Sequence, residues 1–410
     1  MRAAAAAAAA ALCLLLLLGN AAAESATPTR KCTLTSTEKC ELNKFPVGQP
    51  VLIYPGGRSK CLLGAPYAFQ VVRGDKNKLL FHFQGGGACF DETSILLDTC
   101  QKTPESVPLD GIFNRQDPRN RYRHYTVVSV LYCSGDIHVG NNYQWGFWDI
   151  FKLGEQPVYQ RGVENFRSVV AYLERQMAFG HVNRRLDELM LTGSSAGALG
   201  IQWWFGYLLS RPTWSAKKVA VVADSLAGIF PHDSVVSLLK TYGACSALSL
   251  MPPGVARLKP SCDSGNMTFS DVVTANLKKH PSVPVLFIQS EFDEVQLAFY
   301  DGINVIDGMP SPELDDSGFF QKTLEFLQTY NRQRNFMTYW INADTHQYLT
   351  QPWYFEASNL GSSAGQAAIG APMLWRLVNL LPLSVGSNFS SFGTAGAPYV
   401  PKVFVQRSNT

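Results

Sequence analysis

The stretch 186–200, LDELMLTGSSAGALG, limits what this chain can fold into more than any other part of it. An apolar run with strand character stops at Gly193-Ser194-Ser195-Ala196-Gly197, and 198–209 reads as a helix rich in Leu, Trp and Phe. A strand that turns at once into a helix through G-x-S-x-G is a nucleophile elbow. The sharp turn crowds the strand against the helix. The residues flanking the serine must therefore be minimal, and a positive φ is favoured at the corner. The helix start brings the backbone N–H of Ala196 and the positive end of the helix dipole beside Ser195, where an oxyanion would form. Ser195 is thus the candidate nucleophile. Five small residues also arise by chance in a plain turn, so the remaining chain must supply or withhold the partners.

Around the elbow, short apolar runs at 78–84, 126–133, 186–192, 219–224, 283–289 and 335–341 are dense in Val, Leu, Ile and Phe, and punctuation follows each. They predict buried strands. Helices are predicted between and after them at 162–177, 198–209, 234–241, 317–330 and 366–381, and 32–64 reads as an extended, cysteine-bearing segment. This alternation predicts an α/β fold of the α/β-hydrolase kind, a mostly parallel sheet with helices on both faces. In such sheets functional residues lie just past the carboxyl ends of strands.

The first strand run ends in Gln84-Gly85-Gly86-Gly87-Ala88-Cys89. In an α/β-hydrolase the equivalent loop donates the second half of the oxyanion hole. A phosphate-cradling loop is the rival, and the Lys-Ser/Thr of a P-loop is missing; a tight turn is the plain alternative. The fifth run is followed by three carboxylates, Glu291, Asp293 and Glu294, and the sixth by His346. Serine, then acid, then histidine is the α/β-hydrolase order. Other histidines fit less well: His82 lies inside a strand run, His124 in an Arg-rich turn, and His181 just before Asn183.

Residues 1–23 combine a basic start, an apolar block and a small-residue site, the pattern of a secretory signal peptide cleaved after Ala23. No later stretch approaches the ~20 apolar residues of a membrane span, so no stable membrane insertion is expected. Eight cysteines follow the signal: Cys32, Cys40, Cys61, Cys89, Cys100, Cys133, Cys245 and Cys262. An even number in an exported chain implies up to four disulfides, in a connectivity that sequence alone leaves open. Short loops favour Cys89–Cys100 and Cys245–Cys262, each stabilising by about 3 kcal/mol. No CxxC pair or His-rich spacing points to zinc. Sequons begin at Asn266 and Asn388. A formal net charge of +3 argues for neither nucleic acid nor an anionic membrane. With no linker, repeat or low-complexity break, 24–410 reads as a single domain.

Two features are softer. Arg115, Arg119, Arg121 and Arg123 form either a polyanion site or, as charge runs usually do, a solvated face. Tyr143, Trp145, Phe147 and Trp148 either stack on sugar rings, wall an acyl pocket or pack under a loop.

The blocks Phe81-His82-Phe83-Gln84-Gly85-Gly86-Gly87-Ala88-Cys89, Tyr132-Cys133-Ser134-Gly135-Asp136, Gly193-Ser194-Ser195-Ala196-Gly197, Ala223-Asp224-Ser225 and Phe292-Asp293-Glu294-Val295-Gln296-Leu297 resemble, in order, those of pectin acetylesterases and the related Notum carboxylesterases. The resemblance spans about 61–346. It implies Ser195 as nucleophile, Asp293 rather than Glu291 or Glu294 as acid, and His346 as base. It also implies backbone oxyanion donors at Gly86, Gly87 and Ala196, and no metal or organic cofactor. The implied activity is removal of acetyl groups from a pectin-like polysaccharide by a secreted enzyme of the cell wall. The alternatives are a Notum-like esterase taking a longer acyl chain from a protein or lipid, and an inactive hydrolase fold acting as a binding module. The chain departs from the family pattern at Gln84, usually acidic, and at Ala88, usually Trp or Tyr. The small Ala88 removes a wall beside the expected acyl site.

Overall fold

The computed structural model describes residues 29–144, 157–231, 234–306, 314–341, 343–356, 374–381, 389–392 and 403–406. The signal-like segment 1–23, the sequon at Asn388, and Trp145, Phe147 and Trp148 lie outside them.

Nine strands form one sheet. In chain order they are β1 (Arg30–Thr33), β2 (Pro50–Tyr54), β3 (Phe69–Val72), β4 (Asp75–Phe83), β5 (Tyr125–Val130), β6 (Arg185–Ser194), β7 (Ser215–Asp224), β8 (Val285–Ser290) and β9 (Phe336–Ile341). Across the sheet the order is β1-β2-β3-β5-β4-β6-β7-β8-β9. Only β3 runs against its neighbours; β5-β4-β6-β7-β8-β9 is a continuous parallel block. This is the mostly parallel α/β sheet that the apolar runs predict. The order has a direct consequence for chemistry. The glycine loop leaves β4, the elbow leaves β6, the acid-bearing segment leaves β8 and the histidine loop leaves β9. All four therefore emerge from the same edge of the parallel block.

Strand side chains alternate between two apolar layers, as period-2 geometry requires. Phe81, Phe83, Leu189, Leu191, Val221 and Phe287 join one cluster, and Leu80, Met190, Ala220, Val222, Leu286 and Ile288 the other. The first layer is covered by α1 (Gly162–Ala178), α2 (Ala196–Leu209), α3 (Ser234–Thr241), α4 (Phe269–Lys279) and α6 (Asp316–Asn331). The second is covered by the Leu374–Leu380 helix and two 3₁₀ turns, Gly111–Phe113 and Pro352–Phe355. Helix α5 (Glu294–Ile306) follows the acid-bearing segment directly. The elbow helix α2 is apolar nearly all round because it is enclosed: Trp203, Trp204 and Phe205 are fully buried, and Trp204 stacks on Phe166 at 4.4 Å. Among the described residues no helix is long and apolar enough to cross a membrane.

Among the elements that sequence reading passes over, three bear on the sheet and the site. Strand β3 is only four residues long and carries a buried Gln70, which disguises its apolar face. Helix α4 starts with a capping box between Thr268 and Asp271, and α5 starts on the residue after Asp293. Of the helix predicted at 366–381, the described part is helical from Leu374–Leu380.

The chain carries four disulfides. Cys89–Cys100 and Cys245–Cys262 are the short loops expected from spacing; Cys32–Cys40 and Cys61–Cys133 complete the set. Cys61–Cys133 ties chain segments 72 residues apart, so its loss frees the largest unfolded-state entropy. Replacing both cysteines by Ala should lower the unfolding free energy by about 4 kcal/mol, as read by denaturant titration of the purified protein. Replacing the Cys32–Cys40 pair, separated by 8 residues, should cost distinctly less.

Candidate active site

Ser195 sits between the end of β6 and the start of α2 with φ 54° and ψ −126°, a conformation costly for a side chain other than Gly and characteristic of stored strain at a functional turn. The two glycines answer to close approach. A Cβ on Gly193 would collide with the Gly197 carbonyl, and one on Gly197 with the carbonyl of Phe83 on the neighbouring strand β4. The serine's own N–H donates to the carbonyl of Asp224 on β7 at 2.9 Å.

The structure brings His346 and Asp293 to this corner. His346 Nε2 lies 2.9 Å from Ser195 Oγ, and its Nδ1 lies 2.8 and 3.0 Å from the two oxygens of Asp293. These contacts join residues 151 and 53 positions apart. Ser195 and Asp293 are buried, and the His346 side chain is 11% exposed. Asp293 Oδ1 also accepts from the Gln296 backbone N–H at 2.9 Å and Oδ2 from its side-chain amide at 2.7 Å, so the carboxylate is held from two sides. Of its two neighbours, Glu294 is exposed at the start of α5, and Glu291 carries its own backbone bond to Ile341.

The glycine loop packs directly on the serine: a Cβ on Gly85 would lie 2.8 Å from the Ser195 Cβ. Gly86 and Gly87 have positive φ. Their flanking bonds, Ala88 N–H to Thr99 O and Gln101 N–H to Gly86 O, pin the loop to the segment closed by Cys89–Cys100. Ala196 is the first residue of α2, so its N–H has no acceptor within that helix. Beneath the loop, buried His138 meets the Gln84 carbonyl through Nε2 at 2.8 Å. Gln84 Oε1 accepts from the Tyr132 N–H.

One pocket opens at this corner. Gly87, Ala88, Ser195, Ala196 and His346 line it, together with the apolar side chains of Leu226, Ile229, Phe230, Phe299, Ile303 and Phe319. Ala88 contributes only a methyl group to the wall.

Two features are given no role in the sequence reading. Asp224, quoted there without a role, is fully buried and accepts from the N–H groups of Tyr348 and Leu349 and from the Ser225 hydroxyl. Burial raises its carboxyl above the usual range, against these hydrogen bonds and the attraction of His346. The available signal was position alone: Asp224 ends a strand run. His82 and His138 are the other feature. Burial pushes them down to about 3 and about 4, so both are neutral packing groups.

Of the four arginines, Arg119 is exposed, as on a solvated face, whereas Arg121 is drawn into a pair with a buried carboxylate. They lie near the starts of the strands, at the opposite edge from the serine. Arg121 forms a bidentate pair with buried Glu188 near the start of β6, which Tyr125 also contacts. Arg115 donates to the Tyr125 carbonyl, Arg119 pairs with Asp117 and lies over Phe355, and Arg123 donates to the Pro118 carbonyl. Tyr143 is exposed, its ring 5.1 Å from that of Tyr159.

A mostly parallel sheet of this order, with a strained serine elbow and a glycine loop at one edge, is the fold of a carboxylesterase-type α/β hydrolase. A model of the pectinacetylesterase family matches residues 55–350, well over half of the 410 residues, and the chain belongs to that family. Among solved structures it is similar to the Wnt deacylase Notum from Drosophila in two crystal forms. One has a TM-score of 0.52 at 19% identity, covering 74% of this chain and 87% of that chain. The other has a TM-score of 0.50 at 19% identity, covering 74% and 86%. At that identity the likeness is one of fold. No curated protein sequence matches the chain.

Proposed function

We propose that this protein hydrolyses carboxylic esters through an acyl-enzyme on Ser195. The observation that carries the reading is the hydrogen-bonded series Ser195 Oγ, His346 Nε2, His346 Nδ1, Asp293. His346 takes the hydroxyl proton as Ser195 attacks the ester carbonyl, and Asp293 fixes the imidazole's tautomer and supports its charged form. The N–H groups of Gly86, Gly87 and Ala196 receive the oxyanion, each such donor being worth about 3–4 kcal/mol of transition-state stabilisation. His346 returns the proton to the leaving alcohol, and water then releases the acid by the same route. Four disulfides and the signal-like N-terminus support an exported enzyme, with 24–410 as one hydrolase unit.

For the acyl group, family membership favours acetyl on a pectin-like polysaccharide. A second reading, a longer acyl chain carried by a protein or lipid, is favoured by the apolar pocket beside Ser195 and by the methyl-sized wall at Ala88. It also agrees with the deacylase named among the structural neighbours. Hydrolysis rates of p-nitrophenyl esters from acetyl to palmitoyl separate the two. A maximum at acetyl supports the first reading, and a maximum at medium or long chains supports the second. Equal inertness of wild type and Ser195→Ala on every ester leaves the binding-module reading. If the pocket takes a chain, Ala88→Trp should block about four methylenes. At ~0.8 kcal/mol each, the long-chain kcat/KM should fall on the order of 100-fold relative to acetyl.

A further inference from the structure

We propose that Asp224 and Ser225, through their side chains, are the positioning pair that holds the loop of His346 against Ser195. This inference rests on the serine-esterase reading above. Asp224 closes β7, the strand between the elbow strand β6 and the acid-bearing β8, and is paired in register with Ser194 on one side and Ile288 on the other. It reaches Ser195 and the loop that carries His346 by different routes. Its backbone carbonyl accepts the Ser195 N–H at 2.9 Å. Its side-chain Oδ2 accepts from the N–H groups of Tyr348 at 2.8 Å and Leu349 at 2.7 Å. Oδ1 accepts from Ser225 Oγ at 2.8 Å, and that oxygen accepts from the Gln347 N–H at 2.9 Å. Three successive N–H groups immediately after His346 are therefore bound by two adjacent side chains. From the far side Ser290 Oγ donates to the Thr345 carbonyl at 2.5 Å and meets Tyr348 Oη at 2.7 Å.

Energetics argue that this arrangement serves more than stability. A fully buried carboxylate carries a desolvation cost of several kcal/mol, which hydrogen bonds only partly offset. Ser225 and Gln347 also hold positive φ, 62° and 72°, and strain at facing positions persists where surrounding structure over-determines it. The loop has no helix or strand of its own between Ala343 and Gln351. Its other backbone anchors grip carbonyls, the Thr345 carbonyl from Ser290 and the Leu349 carbonyl from the Ile112 N–H. The pair instead takes the three N–H groups that directly follow the imidazole, which reaches Ser195 Oγ at 2.9 Å. A loss of about 1 Å in such placement costs about 100-fold in rate.

The test uses the full chain with Asp224→Ala and Ser225→Ala, each alone and combined with His346→Ala, assayed on the best p-nitrophenyl ester. Expected are a fall of about 100-fold in kcat for Asp224→Ala and about 10-fold for Ser225→Ala, with KM within about twofold. Asp224→Asn, whose amide oxygen still accepts from Tyr348 and Leu349 and whose NH₂ can donate to Ser225 Oγ, should recover most of the loss. In the His346→Ala background neither Asp224→Ala nor Ser225→Ala should lower the residual rate further, because the group they position is gone. Should Asp224→Ala fail to fold, Ser225→Ala carries the test. Wild-type kcat in Ser225→Ala and in folded Asp224→Ala overturns the inference. So does the same fold-loss persisting without His346, which marks a structural role only. Full turnover by Ser195→Ala or His346→Ala instead sinks the serine-esterase reading beneath it.

Discussion

Ser195→Ala should lower kcat on any ester by about 10⁴–10⁶-fold and leave the fold intact. The described partner of Ser195 Oγ is the ring of His346, so no structural hydrogen bond is lost with the hydroxyl. Alanine inherits the same φ of 54° and adds no new strain. The residual rate would come from the oxyanion donors and the pocket, which the substitution leaves in place. Steady-state kinetics give the loss, and intact mass after a fluorophosphonate gives the site: the wild type should gain one adduct and the variant none. A variant retaining more than about a tenth of the wild-type kcat would remove Ser195 from the chemistry.

Asp293→Asn should cost nearly as much, about 10⁴-fold in kcat with little change in KM. The reason is local. Both carboxylate oxygens accept hydrogen bonds from Gln296 and both face His346 Nδ1. An amide supplies one acceptor and one donor, so its NH₂ must face either a Gln296 donor or the imidazole. Facing the imidazole, it forces the proton onto Nε2, where His346 can no longer accept from Ser195. Facing Gln296, it breaks the bond that holds the segment. The measurement is kcat and KM for the variant beside its melting temperature. A wild-type kcat would mean that another group orients the ring.

Much of the fold was legible because it is written locally. Six of the nine strands announce themselves as apolar runs with punctuation, and the elbow is written in five residues. What stayed hidden was either short or disguised. Strand β3 has four residues and a buried glutamine, and the arginines look like a charge run until Arg121 meets Glu188 across the start of β6. The contacts of Asp224 were invisible for a different reason: its partners are backbone N–H groups 124 and 125 positions away, and backbone groups leave no mark in sequence.

By itself the sequence determined the class of sheet, the place of the candidate nucleophile at a strand-to-helix corner, and the glycine loop beside it. Each depends on neighbours a few residues apart, through side-chain period, turn sterics and helix-start chemistry. Resemblance rather than spacing chose Asp293 among three carboxylates. Only the tertiary structure brought Asp293, rather than Glu291 or Glu294, against His346, and revealed the apolar pocket and the Asp224 tether. Those arrangements follow from strand order and register across β4, β6, β7, β8 and β9, where residues far apart in the chain meet because their strands end at one edge.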